Sequence, residues 1–185
     1  DCTVHILTSI VFAGSNSWLD ARENIIKIHY KSIDGKDPKP TFKSRWHYTS
    51  DRLLNHEITP DITSSIVGED LLHFVNIDLN KKKDGTEFLD LSWTLNQNIG
   101  YLPIESISDS IIQKLPIICG VAFVKQSYFE MGVVVAHEGF IINRKDFIHA
   151  SSKYKKTVSN DFFTYLINDD KSSFDGVMFF KINKN

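Results

Sequence analysis

The sequence predicts an α+β protein in which N-terminal helices pack on an antiparallel β-sheet. Apolar residues recur at helical spacing through the first part of the chain, over residues 1–30. The later part instead carries short β-branched and aromatic runs that polar turns separate. Because the helices gather first and the strands follow one another, we expect strands in meander order rather than alternating strand–helix units.

Size and composition favour a single globular domain over 1–185. A chain of 185 residues with 42% hydrophobic content is long enough to bury one core. Its formal net charge of -2 gives no basic field for nucleic acid, and no apolar run reaches the length of a membrane span. We therefore expect neither partner. The chain contains no signal segment, yet it begins at Asp1 inside a structured stretch, which predicts a natural precursor that extends upstream.

Two helices open the chain. The first is predicted from Cys2 to Ala13 with Gly14 as its C-cap, and the second from Ser17 to Tyr30 with Ser17 as its N-cap. The expected buried stripe of the first helix is Val4, Ile6, Leu7, Ile10 and Val11. The second helix presents one face made of Trp18, Arg22, Ile25, Ile26 and His29, whose aromatic and aliphatic members should be core.

Cys2 lies in the first turn of the first helix. Unpaired backbone N–H groups and the positive end of the helix dipole stabilise a thiolate there, which predicts a lowered pKa. A cysteine at this position can equally serve packing alone. Cys119 lies in the apolar run Leu115 to Val124, so we expect a buried, inert thiol that is not bonded to Cys2. The spacing of the two cysteines fits no zinc signature.

A loop over residues 31–43 leads to a dense polar and aromatic cluster, Ser44 to Asp51, just before a short helix from Arg52 to His56. Clusters of this composition in loops often carry function. The alternative is a helix N-cap with a tucked-in tryptophan.

Strands dominate the rest of the chain. Leu71 to Leu79 and Thr86 to Leu95 flank the turn Asp84-Gly85, and the alternation of apolar and polar residues in the second run predicts a hairpin. Short helices are expected at Ser108–Leu115, which Pro116 ends, and at Asp161–Ile167. The remaining predicted strands are Ile117–Val124, the two strands of a hairpin over Met131–Ser152, and Gly176–Ile182.

The Met131–Ser152 hairpin carries one histidine on each strand, His137 and His149. A three-residue loop at Asn143–Lys145 would place Gly139 opposite His149 and put both imidazoles on one face, whereas a four-residue loop would put them on opposite faces. Neighbouring imidazoles suggest a base with an orienting partner, as a cysteine or serine nucleophile needs. Two separate structural histidines are the alternative.

Several short motifs follow one another along nearly the whole chain. They are Asp1-Cys2-Thr3, Ser44-Arg45 with His47-Tyr48-Thr49-Ser50-Asp51, Tyr101-Leu102-Pro103, His137-Glu138-Gly139 and His149-Ala150-Ser151-Ser152. In this order the chain resembles the N-acetylmuramoyl-L-alanine amidase-like family of the NlpC-type papain-like cell-wall hydrolases. It departs at Val4-His5-Ile6-Leu7, where the family usually has a Phe-Val-Glu-like stretch, and at Gly120-Val121, where it has Gly-Asp. The family's upstream helices are missing.

The resemblance implies a papain-like, NlpC-type fold and a cysteine amidase that needs no metal or other cofactor. Cys2 would attack the amide between N-acetylmuramic acid and L-alanine, His137 would transfer the proton, and His149 would orient His137. The backbone N–H of Cys2 would stabilise the oxyanion. The implied substrate-binding residues are Arg45, Tyr48, Ser50 and Asp51.

The implied substrate is peptidoglycan or a muropeptide, which implies a bacterial cell envelope (periplasmic) or secreted protein. Other functions stay open. The same scaffold could cut inside the stem peptide or transfer an acyl group, and an inactive module could simply bind peptidoglycan. Cys2, His137 and His149 also have the ligand types of a zinc site, although they lack paired short spacings.

Overall fold

A single antiparallel sheet organises this computed structural model, which describes residues 1–32, 35–166 and 173–183. Its strands are β1 (His73–Leu79), β2 (Leu95–Pro103), β3 (Ile118–Val124), β4 (Val135–Ile142), β5 (Asp146–Ser151), β6 (Lys156–Asp161) and β7 (Gly176–Phe180). The helices are α1 (Cys2–Gly14), α2 (Trp18–His29), α3 (Thr49–Asn55), α4 (Thr63–Val67), α5 (Asp109–Ile112) and α6 (Phe162–Leu166). The predicted mixed architecture with an antiparallel sheet is thus confirmed.

The strands lie in the order β1-β2-β7-β3-β4-β5-β6, and each neighbouring pair is antiparallel. The predicted meander is therefore wrong at one place, because the last strand inserts between β2 and β3. All five residues of β7 are buried, so this strand belongs at the centre of the sheet rather than at an edge. β6 was not among the predicted strands, and most of its residues are exposed.

The sheet has a hydrophobic cluster on each face. Strand β3 shows the division, since Ala122 and Val124 belong to one cluster, whereas Val121 and Phe123 belong to the other. Helix α1 joins the first cluster through Ile6, Leu7, Ile10 and Val11. Helices α5 and α6 contribute to the second cluster. The amino end of α1 consequently lies on one face of the sheet, where helix α1 contacts β4 and β5.

The two opening helices differ from the prediction in detail. Helix α1 begins at Cys2 as predicted, but Gly14 is still helical and the extended Ser15 is the C-cap. Val4 is 40% exposed and lies outside the buried stripe. Ser17 caps α2 as predicted. Trp18 is 69% exposed rather than core, because it is the first helical residue and stacks on Phe12 at the edge of the helix pair.

The shorter predicted helices shift by a few residues. Helix α3 begins at Thr49, ahead of the predicted Arg52, and α5 covers only part of Ser108–Leu115. Helix α6 matches its prediction up to Leu166, and Ile167 lies outside the described residues. Strand β7 begins at Gly176 as predicted and ends at Phe180. Part of the predicted loop over 31–43, residues 33–34, also lies outside the described residues.

The predicted hairpin between Leu71–Leu79 and Thr86–Leu95 is wrong in its second strand. β1 pairs with β2, so Leu79 lies opposite Leu95, the first residue of β2. The turn at Asp84-Gly85 does form, with Gly85 at φ +86. The chain after it, however, is hydrogen-bonded to the side chain of Asn80. The Asn80 amide accepts a hydrogen bond from the Leu89 backbone N–H at 2.7 Å and donates one to the Trp93 carbonyl at 2.8 Å. These bonds replace a strand ladder with a loop.

Candidate active site

Strands β4 and β5 bring the two hairpin histidines into contact. Ile142 lies opposite Asp146, so the loop contains the three residues Asn143–Lys145 that were predicted. Continued by one pair beyond Phe140 and Ile148, this register sets Gly139 opposite His149. His137 Nε2 lies 2.8 Å from His149 Nδ1, with the ring centroids 4.9 Å apart. The prediction of neighbouring imidazoles on one face is confirmed.

A third polar side chain continues the histidine pair. His149 Nε2 lies 3.2 Å from Oδ1 of Asn160 on β6. Phe147 stacks on the His149 ring at 4.5 Å between centroids, and Tyr165 of α6 packs against the same ring at 4.8 Å. The His149 ring is 4% exposed and is therefore fixed by both aromatic packing and a polar partner. Asn160 was not predicted, since β6 had no recognisable strand pattern in the sequence.

Both histidines are held in the neutral state. Burial lowers the pKa of His137 to about 4, and the neighbouring His149 adds to this effect. The pKa of His149 is also lowered, again mainly by burial, although its bond to Asn160 opposes the shift. A neutral imidazole pair carries one proton on each ring, so each ring has one nitrogen that can accept a proton.

Cys2 sits at the first turn of α1, as predicted, but its acidity differs from the prediction. Burial raises the pKa of the Cys2 thiol, and the negative charge of Glu138 raises it further. Hydrogen bonds from the backbone N–H groups of Glu138 and Thr3 oppose this shift. The Thr3 N–H at the helix end thus still lowers the pKa, but burial and the Glu138 charge raise it by more, and the Asp1 carboxylate also accepts hydrogen bonds from the N–H groups of Thr3 and Val4.

The prediction that Cys119 is buried and not bonded to Cys2 is confirmed. Cys119 is buried in β3, both cysteines are free, and burial raises the pKa of the Cys119 thiol to about 12.

A buried ion pair lies directly beneath helix α1. Glu138 follows His137 on β4, and its carboxylate accepts a 2.5 Å hydrogen bond from Arg52 Nη2 of α3. It also accepts hydrogen bonds from Thr3 of α1 at 2.5 Å and Thr49 of α3 at 3.0 Å. Both charged side chains are fully shielded from solvent. One carboxylate therefore joins α1, α3 and β4, the elements that carry Cys2, the Tyr48–Ser50 segment and His137.

The structure separates the residues of the Ser44–Asp51 cluster into two groups. Tyr48 and Ser50 line a cavity of about 130 Å³ whose wall also includes Cys2 and His137. Tyr48 is held there by a 2.8 Å hydrogen bond from its hydroxyl to Asn80 Oδ1, and burial raises the pKa of that hydroxyl.

Arg45 and Asp51 are not among the residues that line this cavity. The Arg45 guanidinium lies 3.8 Å from the Asp1 carboxylate, beside the start of α1. Asp51 is buried, forms an ion pair with Lys31, and accepts hydrogen bonds from Asn55 and Gln97. The Lys31 ammonium also lies 4.6 Å from the ring centre of Trp46, so Lys31 contacts both Asp51 and Trp46.

A second, larger cleft opens on the other side of His137. It has a volume of about 530 Å³, and both His137 and His149 line it, whereas Cys2 lines only the smaller cavity. Clefts of several hundred cubic ångströms are typical of small-molecule sites. His137 thus borders both a small cavity that Cys2 lines and a cleft large enough for most of a ligand.

In residues 1–32, 35–166 and 173–183, no three His, Cys, Asp or Glu side chains are grouped to hold a metal ion. No helix in the same part of the chain is long and apolar enough to cross a membrane.

Most of the chain matches a known family of proteins. Residues 1–174 match the model of the N-acetylmuramoyl-L-alanine amidase-like family, and the chain therefore belongs to that family. No curated protein matches the chain.

Solved structures show the same fold at low sequence identity. A Legionella pneumophila protein of the family DUF1460 is 21% identical, with a TM-score of 0.76 over 98% of this chain and 75% of that one. An N-acetylmuramoyl-L-alanine amidase from Bacteroides uniformis is 20% identical, with a TM-score of 0.71 over 100% of this chain and 84% of that one.

Proposed function

We propose that this protein is a cysteine amidase, with a papain-like, NlpC-type fold in a single domain over 1–185, that hydrolyses the N-acetylmuramoyl-L-alanine bond of peptidoglycan fragments. The observation that carries the proposal is the 2.8 Å contact of His149 with His137, which lines a cavity together with Cys2. Family membership supports the substrate class. Such a substrate implies a protein of the bacterial cell envelope or a secreted one.

The hydrogen-bond chain supports one assignment of protons. Asn160 Oδ1 can only accept, so His149 Nε2 carries a hydrogen and His149 Nδ1 has a free lone pair. His137 Nε2 then donates to that lone pair. His137 Nδ1 is left unprotonated and is the atom that takes the thiol proton. In this arrangement His149 orients the base, and Asn160 orients His149.

The charge states favour a neutral resting pair. With the pKa of Cys2 raised and that of His137 lowered, the thiol keeps its proton until substrate binds. The proton then moves to His137 as sulfur attacks the carbonyl, and His137 returns it to the leaving nitrogen of L-alanine. Water then attacks the acyl carbon. His137 takes a proton from this water and returns it to sulfur, and the muramoyl group leaves as the free acid.

The oxyanion of the tetrahedral intermediate needs a donor near sulfur. The Asp1 side chain caps the N–H groups of Thr3 and Val4, so the N–H of Cys2 at the start of α1 is the donor that we assign. A single donor of this kind contributes about 3 kcal/mol to transition-state stabilisation.

Substrate contacts are assigned to the cluster before α3. Tyr48 and Ser50 line the cavity with Cys2 and would contact the acyl group directly. Arg45, near Asp1, could bind a carboxylate of the substrate by its planar fork. The bonds of Asp51 to Lys31 and Gln97 favour a supporting role for this carboxylate, which holds the cluster in place.

Digestion of purified muropeptides, read by mass spectrometry, tests the proposal. The expected products are a peptide that begins with L-alanine and an intact N-acetylmuramic acid. Cys2→Ala and His137→Ala should each abolish the reaction, and His149→Ala should leave residual activity because His149 orients rather than transfers the proton.

Other products would replace the proposed function. A fragment of N-acetylmuramoyl-L-alanyl-glutamate would identify a stem-peptide endopeptidase. Binding without any cleavage, unaffected by alkylation of Cys2, would identify an inactive peptidoglycan-binding module.

A further inference from the structure

We infer that the larger cleft beside the histidine pair is a subsite for the carboxylate-bearing peptide half of the substrate. The inference rests on the proposed function for the identity of the substrate. Its position argument uses the proposed proton transfer, whereas the charge of the cleft supports it independently.

Position follows from the direction of proton transfer. The leaving nitrogen must accept its proton from His137, so the leaving group extends away from that imidazole. Cys2 lines only the small cavity, His137 lines both spaces, and His149 lines only the larger one. The acyl carbon therefore belongs on the thiol side, and the leaving peptide enters the cleft on the histidine side.

Volume agrees with this division. A cavity of about 130 Å³ admits little more than the reacting carbonyl and its nearest atoms, whereas about 530 Å³ lies within the range of sites that enclose small ligands. The peptide is thus enclosed, and the sugar extends outward from the small cavity.

The charged side chains among the described lining of the larger cleft are lysines. Its described lining includes Lys125 and Lys153 but no aspartate or glutamate, although the whole chain has a net charge of -2. The Lys125 ammonium lies 5.6 Å from the ring centre of Tyr128, and that of Lys153 lies 5.4 Å from the ring centre of Tyr154. Each tyrosine also lines the cleft and restrains its lysine there.

Two segments distant in sequence supply these pairs. Lys125 and Tyr128 follow β3, and Lys153 and Tyr154 form the turn between β5 and β6. Lysines in ion pairs elsewhere have their charge satisfied, as Lys83 does by Glu130 at 2.6 Å. No salt bridge of Lys125 or Lys153 occurs among the described residues. Two ammonium groups in a cleft whose described lining holds no carboxylate match a peptide that carries carboxylates.

The test compares two substrates that differ by one charge, N-acetylmuramoyl-L-alanyl-D-glutamate and N-acetylmuramoyl-L-alanyl-D-isoglutamine. The wild-type protein should cleave the diacid with the higher kcat/KM. The double variant Lys125→Gln/Lys153→Gln should lose about fivefold to tenfold in kcat/KM for the diacid and most of its preference, since exposed charge pairs each contribute a few-fold. Lys114→Gln is the matched control, because Lys114 is an exposed lysine outside both spaces.

Binding to an inactive protein separates the subsite from the reaction. The dipeptide L-alanyl-D-glutamate should bind Cys2→Ala, and the two lysine substitutions should weaken that binding, as followed by chemical-shift titration. Cleavage of both substrates without any effect of the lysine substitutions would overturn the subsite and leave the amidase proposal standing. Lysine-dependent binding without cleavage by the wild-type protein would overturn the amidase and retain the subsite.

Discussion

The buried ion pair beneath Cys2 should make Glu138→Gln one of the most destabilising polar substitutions in this protein. The carboxylate and Arg52 are both fully shielded, with 2.5 Å between Glu138 Oε2 and Arg52 Nη2. A glutamine has nearly the same shape but leaves the guanidinium charge uncompensated. Removing one partner of a buried pair costs about 3–5 kcal/mol of unfolding free energy, because the remaining charge stays out of water.

A matched control exists on the surface. Glu130 pairs with Lys83 at 2.6 Å, but their side chains are 64% and 76% exposed. Since the two pairs differ mainly in burial, Glu130→Gln should cost less than about 1 kcal/mol. Urea denaturation followed by circular dichroism measures both values at pH 7. Equal losses of stability in the two variants would refute the claim that burial determines the energy of the pair.

The same substitution should change the acidity of Cys2. The Glu138 charge opposes ionisation of the thiol, so its removal should lower the pKa of Cys2. The pH dependence of alkylation in the folded variant measures this shift, and alkylation should reach its half-maximal rate at lower pH than in the wild type. A general loss of structure cannot mimic the result, because fluorescence of the same samples reports folding. An unchanged or higher midpoint would contradict the electrostatic coupling.

Three other predictions concern reactivity, pH and packing. Cys2 should react with a thiol reagent in the native protein much faster than Cys119, whose pKa is raised to about 12 by burial, and equal rates by peptide mapping would contradict this. Burial lowers the pKa of His29 to about 4, so its stabilising contribution is complete above pH 6.5 and lost as pH falls toward 4. Removing that titration with His29→Gln should reduce the loss of unfolding free energy between pH 7 and 4.5 by about 2 kcal/mol, whereas an unchanged slope would assign the loss to other groups. Gly139→Ala should lower the free energy of unfolding by about 1–3 kcal/mol, because the added Cβ would lie 2.3 Å from Phe147 Cε2. Thermal unfolding measures this, and an unchanged melting temperature would show that the two strands move enough to accommodate the methyl group.

Local sequence predicted the start of α1 and the contact between the two histidines, but it left the length of the hairpin loop open. The two-residue period of strands can be counted along the chain, and the three-residue loop of the structure then places His137 and His149 on one face. The start of α1 depends on the Asp1 cap and an apolar stripe within one segment. Such features are patterns among neighbours in sequence, so they can be recognised before the rest of the chain is placed.

Tertiary structure alone decided the partners that come from distant segments. The Asn80 side chain holds residues 80–94 in a loop by hydrogen bonds to the backbone, and no strand pattern in the sequence predicts these bonds. Strand β2 therefore begins later than the alternation in residues 86–95 indicates. Glu138 meets Arg52 across 86 positions, and that contact exists only because α3 packs near β4. The raised pKa of Cys2 follows mainly from burial, and the charge of Glu138 adds to it. The helix position was readable from sequence, but burial and a distant carboxylate outweigh the helix dipole, and both arise only when the chain is folded.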